Sequence, residues 1–571
     1  MRTANGARRV RMRIGLAVSA VLVLVTAISL VASGSLGRPQ SPAHTSTAHP
    51  ATTTRLGPAD GSRTIDVSLV LRGQSQTDFT ATLAAVSNPS SPRYRHYLTP
   101  AQYASQFGPT TQDRARAATM LRDAGLTVTQ DAGTLISARG TVRQVEALFQ
   151  VSIDDYRASD GDLYYAAAGP ARIPPALSGI VSGVLGLENR HIFHRGVAMA
   201  PSSPFQPGTA GYTPTDLRDA YSIAPLLSAG LDGTNITVAL AEIDAFHPND
   251  VTTYDSAYGI SAPAVRVVKV SGGSRSTSPE PVLDIEVLHA IAPRASLIAY
   301  ESPGDLGSIA QMFSQMVSDG KAQILSISLG ACEAGLTQSD ANSFLNSLDS
   351  TFQQAGAQGM SVLVASGDSG AYGCQNNQLS VSLPASSPYV TAVGGTALFL
   401  NGDDSYGREA GWEGPLEGAG TGGGLSVYYQ RPSWQTGSGV DNSFSNGMRQ
   451  VPDISADADP LTGYSIYFSD GRCSGGDCWT VVGGTSAAAP LWAGIVALAD
   501  QAGAASGKRL GFLNPALYRL GSTANSGAAA PFHDVTMGGN LYYPATPGWD
   551  FSTGWGTPDA GTLVHDLLSL T

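Results

Sequence analysis

Charge is scarce in this 571-residue chain: only 14% of residues are Asp, Glu, Lys or Arg, and lysine occurs only at 269, 321 and 508. Cysteine is scarcer still, with 4 in all, which excludes a small scaffold stapled by disulfides. The formal net charge of −12 excludes a generally basic nucleic-acid binder. Lack of charge is not disorder here, because 42% of the chain is hydrophobic and can bury a core. Histidine is also thin where it would matter. After Tyr212 only His247, His289, His533 and His565 remain, and none stands in a His-Gly-X-His setting.

At roughly 150 residues per domain the length allows several domains. Arg2, Arg8, Arg9, Arg11 and Arg13 precede an uncharged run, Ile14 to Ala32. A basic start followed by an apolar run is a secretory signal. The run also approaches the length of a membrane span. Residues 1–34 therefore read as a signal peptide, cleaved after Ser33, or as a retained anchor, with the remainder outside the cytoplasm in both cases. Residues 35–64, rich in Ser, Thr, Pro and Ala without apolar periodicity, read as a linker.

Residues 65–190 alternate short strands and helices. Ile65–Leu71 alternates as a strand, Thr77–Val86 and Thr111–Ala124 read as helices, and Val142–Phe149 as another, enough for a compact α+β domain. Residues 191–211 hold Pro201, Pro204 and Pro207 and read as an exposed linker open to proteolysis. From 212 to 571 the texture changes. Apolar strands such as Ile236–Leu240, Ile324–Ile327 and Ser361–Ala365 alternate with helices such as Phe344–Ala355 and Leu491–Ala502. That pattern predicts an α/β domain with a parallel sheet buried on both faces and its ligands at the carboxyl ends of the strands.

The string Gly483-Gly484-Thr485-Ser486-Ala487-Ala488-Ala489-Pro490 leads into an apolar helix. Ser486 at a helix start meets free N–H groups and a dipole that favours developing negative charge. Pro490 is expected within the first turn, where a missing N–H is harmless. An ordinary serine cap would look similar. A nucleophilic serine needs a base, and carboxylates are the candidates, since His289 lies in a helix and reads as structural. Glu280 and Asp284 are four residues apart on a predicted helix running through Ile291, so they share a face and couple their titrations. The bland alternative is a solvated acidic helix start. Asp368 follows the strand Ser361–Ser366 beside Gly367. Protonated, it can donate to an oxyanion; otherwise it is an Asx turn.

Together Ser486, Glu280, Asp284 and Asp368 resemble the sedolisin–kumamolisin family of serine-carboxyl peptidases. The strings Pro384-Ala385-Ser386-Ser387-Pro388, Gly422-Gly423-Gly424-Leu425-Ser426 and Val451-Pro452-Asp453-Ile454 resemble the family as well. Residues 89–99 resemble its activation prodomain. The resemblance implies a subtilisin-like catalytic domain in which Ser486 is the nucleophile, Glu280 its base and acid, Asp284 the residue orienting Glu280, and Asp368 the oxyanion donor. It implies a calcium loop too. Asp534 and Asp550 would supply carboxylates, and Val535, Thr546 and Gly548 would supply carbonyls, to one structural Ca2+ ion. Thr546 departs from the family, which often has Gly there. Cys473–Cys478 and Cys332–Cys374 are the expected disulfides, without zinc-finger spacing.

The expected protein is a self-processing, acid-acting endopeptidase, with prodomain 65–190 as intramolecular inhibitor and protein or peptide substrates. A monomer is expected, exported or membrane-anchored, with no nucleic-acid partner. A tripeptidyl-peptidase of the same family and an inactive surface binding protein are the alternatives. A His-based subtilisin is the other rival.

Overall fold

The computed structural model describes residues 53–570 apart from 160, 196–197, 200–210, 275, 337, 415–417, 472, 474–477 and 524–529. The signal or anchor expected over 1–34 lies outside the described residues. Among the described helices none is long and apolar enough to cross a membrane.

The linker expected over 35–64 ends earlier than that. Thr54–Pro58 is a strand paired antiparallel with Ile153–Arg157, and Arg55 holds Asp154 through two hydrogen bonds of 2.6 and 2.7 Å. Most of this strand's side chains face solvent, so no apolar alternation marks it in the sequence. The rest of the N-terminal domain follows the expected pattern. Thr127–Ala132, Leu135–Thr141, Thr64–Leu71 and Val181–Leu185 form one antiparallel sheet in that order. Gln76–Ser87, Thr111–Asp123 and Val142–Phe149 are helices, the last two capped by Thr110 and Thr141.

The C-terminal domain is built on an eight-stranded sheet. Its order is Arg266–Lys269, Ser296–Glu301, Thr237–Glu242, Ile324–Ile327, Ser361–Ala365, Thr391–Leu400 and Tyr406–Gly411, with Ile454–Asp457 paired to Thr391–Leu400. All pairings are parallel except that of the edge strand Tyr406–Gly411. Two cores explain the unbroken apolar runs. Val238 and Leu240 point into one core, with the helices Pro279–Ile291 and Thr485–Ala504. Ala239 and Ala241 point into the other, with Leu306–Ser318 and Gln338–Ala357. Successive residues of a strand face opposite ways, so a strand covered on both faces must be apolar throughout.

The second core continues into the N-terminal domain through Val70, Leu135 and Leu185. Gln311 donates to Ser68 at 3.0 Å, and Ser314 donates to the carbonyl of Ala132 at 3.0 Å. Cys332–Cys374 and Cys473–Cys478 are both disulfides.

Candidate active site

The carboxyl ends of the central strands gather the candidate residues. Glu242 ends one strand, Ser328 follows Ile324–Ile327, and Asp368 follows Ser361–Ala365. The helix carrying Ser486 begins beside them at Thr485. Its N-cap is Gly484, at φ 109°, a conformation that an L side chain would strain. Ser486 is therefore not a cap; it stands inside the first turn, fully buried, with its hydroxyl 3.4 Å from the carbonyl of Ser328.

The expectation for Pro490 needs correcting. With the helix starting at Thr485, Pro490 lies beyond the first turn, where its missing N–H removes an interior hydrogen bond. The carbonyl deprived of that donor is that of Ser486, four residues earlier. Ser328 Oγ takes the vacated place at 3.3 Å. The same Ser328 hydroxyl lies 2.9 Å from Asp284 Oδ1. Ser328, which the sequence reading did not single out, thus joins the acidic helix to the segment carrying Ser486.

Glu280 and Asp284 lie on the helix Pro279–Ile291, whose N-cap Ser278 accepts from the N–H of Glu280 at 3.3 Å. This is no solvated helix start. Glu280 is 1% exposed and Asp284 0%, and the helix packs along the Ser486 helix. Burial drives the Asp284 carboxyl well above its ordinary range, and the Ser328 hydrogen bond opposes that only in part. Glu242, also missed, is raised for two reasons: burial first, then the charges of Asp284 and Glu280. The signal available for it was an acid closing an otherwise apolar strand.

Asp368 is fixed from the other side. Its Oδ1 accepts from the N–H and the hydroxyl of Thr485, both at 2.8 Å. Its Oδ2 is buried with no hydrogen-bond partner among the described residues. Burial pushes this carboxyl up to about 7, against those two hydrogen bonds. Below that pH it carries a proton and can act as a donor next to the first turn of the Ser486 helix.

The histidines are engaged elsewhere. His289 faces Asp255 at 3.0 Å, His247 meets Asp470 at 2.7 Å, His533 stacks on Tyr406 and His565 lies beside Asp566.

The residues expected to hold calcium share one loop. Asp534 Oδ2 accepts from the N–H of Gly548 at 3.0 Å, and Asp550 Oδ2 from that of Thr546 at 2.9 Å. Burial raises both carboxyls, Asp550 to about 7, and neither forms a salt bridge with a described cationic side chain. Asp550 is buried and Asp534 exposed, and two carboxylates on one loop without a described counter-charge are oxygen donors of the kind a hard cation takes. Thr546 is not at positive φ, so its side chain costs the loop no strain.

The junction expected to be an open linker is partly in sheet. His194–Arg195 pairs antiparallel with Leu329–Gly330, and Ala198–Met199 with Val482–Gly483. Leu329 follows Ser328, whose carbonyl lies 3.4 Å from the Ser486 hydroxyl, and Gly483 lies three residues before Ser486. Residues 200–210 of the junction lie outside the described residues.

Known proteins resemble the chain over most of its length. Residues 51–190 match the Pro-kumamolisin, activation domain, and residues 235–556 the Subtilase family. The chain is 33% identical to kumamolisin from Bacillus sp. (strain MN-32), over 90% of this chain and 93% of that one. It is 33% identical to sedolisin from Pseudomonas sp. (strain 101), over 88% and 87%. Tripeptidyl-peptidase 1 of Mus musculus is 29% identical over 90% and 93%. A solved structure of Pseudomonas sedolisin, a serine-carboxyl proteinase complexed with pseudo-iodotyrostatin, superposes with a TM-score of 0.54 at 34% identity, covering 62% of this chain and 97% of that one.

Proposed function

The chain belongs to the sedolisin–kumamolisin family of serine-carboxyl peptidases, and from that premise we propose that it is an exported endopeptidase acting in acid through Ser486, Glu280, Asp284 and Asp368. The observation that carries this reading is the placement of Asp368. One of its carboxyl oxygens is held by Thr485, the residue before Ser486, and the other has no hydrogen-bond partner among the described residues.

Ser486 Oγ attacks the substrate carbonyl carbon while Glu280 accepts its proton. The tetrahedral oxyanion takes a hydrogen bond from protonated Asp368. The C–N bond breaks, Glu280 returns the proton to the leaving amine, and water then hydrolyses the acyl ester by the reverse proton route. Asp284 orients Glu280 from one helical turn away, with Ser328 fixing Asp284 to the Ser486 segment. Glu242 joins the same group of acids as a positioning residue. Catalysis is acidic because Asp368 donates only while protonated, whereas Glu280 accepts only while ionised. The N-terminal domain acts as intramolecular inhibitor.

Calcium would be held by the carboxylates of Asp534 and Asp550 and the carbonyls of Val535, Thr546 and Gly548. It would supply the counter-charge those acids lack. A chelator should lower the unfolding temperature, and Asp534→Asn should abolish the response to added calcium.

The test of the mechanism is hydrolysis of an unstructured peptide at about pH 4 and 7 by wild type, Ser486→Ala and Glu280→Gln. Both variants should lose roughly a thousand-fold or more in kcat. Glu280→Gln working at the wild-type rate would exclude Glu280 as the base.

A further inference from the structure

We propose that Glu301 is a positioning residue of this peptidase, one of a row of ionisable side chains that links Lys269 at the sheet edge to Glu280. This deepens, and rests on, the peptidase reading above.

The row follows from strand register. Arg266–Lys269, Ser296–Glu301 and Thr237–Glu242 are adjacent parallel strands, and each ends in an ionisable residue. Lys269 stands opposite Glu301, and Glu301 opposite Glu242. Residues in register on neighbouring strands share a face of the sheet. Leu297 and Leu240, an even number of residues before the two acids, put that face in the core with the helices Pro279–Ile291 and Thr485–Ala504. The row therefore lies on the side of the sheet that carries Glu280, Asp284 and Ser486.

Strands covered on both faces call for apolar residues, so two acids side by side here are costly to bury. Glu242 is 1% exposed and Glu301 3%. Both Glu242 oxygens and Glu301 Oε2 have no hydrogen-bond partner among the described residues. Lys269 is exposed, and its stem lies along the following turn, where a Cβ on Gly273 would be 3.0 Å from it.

Charge alternates along such a row. Burial raises the Glu301 carboxyl, and Lys269 opposes this by favouring the ionised form. Burial also raises Glu242, and the charges of Asp284, Glu280, Asp244 and Glu301 raise it further. These groups and Lys269 face the pair from the neighbouring strands, the Glu280 helix and the loop after Glu242. An ionised Glu301 thus keeps the proton on Glu242. The negative charge of the inner group then falls to Glu280, the form that accepts the Ser486 proton. The effect is electrostatic, and no proton travels along the row.

The test is kcat/KM for an unstructured peptide, measured on the full chain from about pH 3 to 7 for wild type, Glu301→Gln, Lys269→Met and the double variant. Each single change should move the acid limb up by roughly half a pH unit or more, because Glu242 then competes with Glu280 for the charge. The alkaline side, which follows Asp368, should stay in place. The double variant should move the acid limb no further than Glu301→Gln alone, since Lys269 acts through Glu301. A merely structural role would lower activity alike at every pH. An acid limb unmoved or lowered in either single variant, or shifts that add in the double variant, would overturn the proposal. Lys269 is at the surface, so Lys269→Met decides the matter alone if Glu301→Gln does not fold. Where the wild type hydrolyses the peptide in acid, such results leave the peptidase reading intact and only the row fails. If the wild type cuts at no pH, both fail.

Discussion

Ser328 and Pro490 show how much a single donor can decide. Pro490 withholds an N–H from the Ser486 carbonyl, and Ser328 uses the vacancy to connect that carbonyl with Asp284. Pro490→Ala restores the N–H, which will compete with Ser328. A proline inside a helix costs about 3 kcal/mol relative to alanine, so this variant should hold or gain stability while kcat falls several-fold. Unchanged kcat would mean that the Ser328 link has no part in catalysis. Asp368 gives a sharper test because the proposed mechanism depends on its charge state. Its carboxyl is raised to about 7 by burial, so activity should decline as pH rises through that value and the donor proton is lost. Asp368→Ala should lower kcat by about 100- to 1000-fold. Asp368→Asn keeps an acceptor for Thr485 and a donor for the oxyanion, and should remove the alkaline decline. The same decline in Asp368→Asn would assign it to another group.

Two helices hold Ser486 and the acids Glu280 and Asp284, and their separation is set where they touch. A Cβ at Gly494, on the Ser486 helix, would lie 2.5 Å from Ile291 on the Glu280 helix. Alanine is favoured over glycine in a helix by about 1 kcal/mol. Overpacking a buried contact costs about 1–3 kcal/mol, and here the contact cannot yield easily because Ile291 is fully buried. Gly494→Ala should therefore be destabilising in denaturant titration and should lower kcat by moving Ser486 away from Glu280. A more stable, fully active variant would show that the helices have room to spare.

At the scale of the whole molecule, the prodomain is fastened at more than its sheet. Tyr97 lies where a side chain on Gly359 or Gly511 would collide with it, and its hydroxyl donates to the Leu510 carbonyl at 2.6 Å. Arg95 donates to the carbonyl of Leu567 at 2.8 Å. In a Ser486→Ala proenzyme, which cannot process itself, Tyr97→Ala should loosen the prodomain by about 2 kcal/mol or more. The urea transition of the prodomain should move down while that of the catalytic domain stays. Acid should favour the fold as well as the chemistry. Burial raises Glu333, Asp368 and Asp500 each to about 7. A carboxyl raised in the folded state binds more protons there than in the unfolded chain, so stability falls as pH rises. That contribution is complete below the ordinary carboxyl range, near pH 4, and is lost on the way to about 7. Asp60, Asp403 and Asp470 are held low and act in the opposite sense, but they are solvent-exposed and screened. The urea midpoint should be higher at pH 4 than at pH 7. The reverse order would mean that the buried acids find counter-charges, calcium among them.

The sequence by itself determined the parts whose cause is local. Apolar strands such as Ser361–Ala365 are legible because both faces are covered, and Thr110 and Thr141 cap helices through atoms three residues away. The spacing of Glu280 and Asp284 put them on one helix face, and the Gly-Thr-Ser string put Ser486 in a first turn. What the sequence left open depends on partners distant along the chain. Ser328 is one serine among many until Pro490, 162 residues later, leaves a carbonyl for it. Glu242 became part of the site only when the parallel sheet set the end of its strand among the acids of another helix. Thr54–Pro58 carries no pattern because an edge strand with exposed side chains needs none; its partner at Ile153–Arg157 makes it a strand. Burial, the common cause of the raised carboxyls, belongs to no segment, since it exists only once the helices close over the sheet.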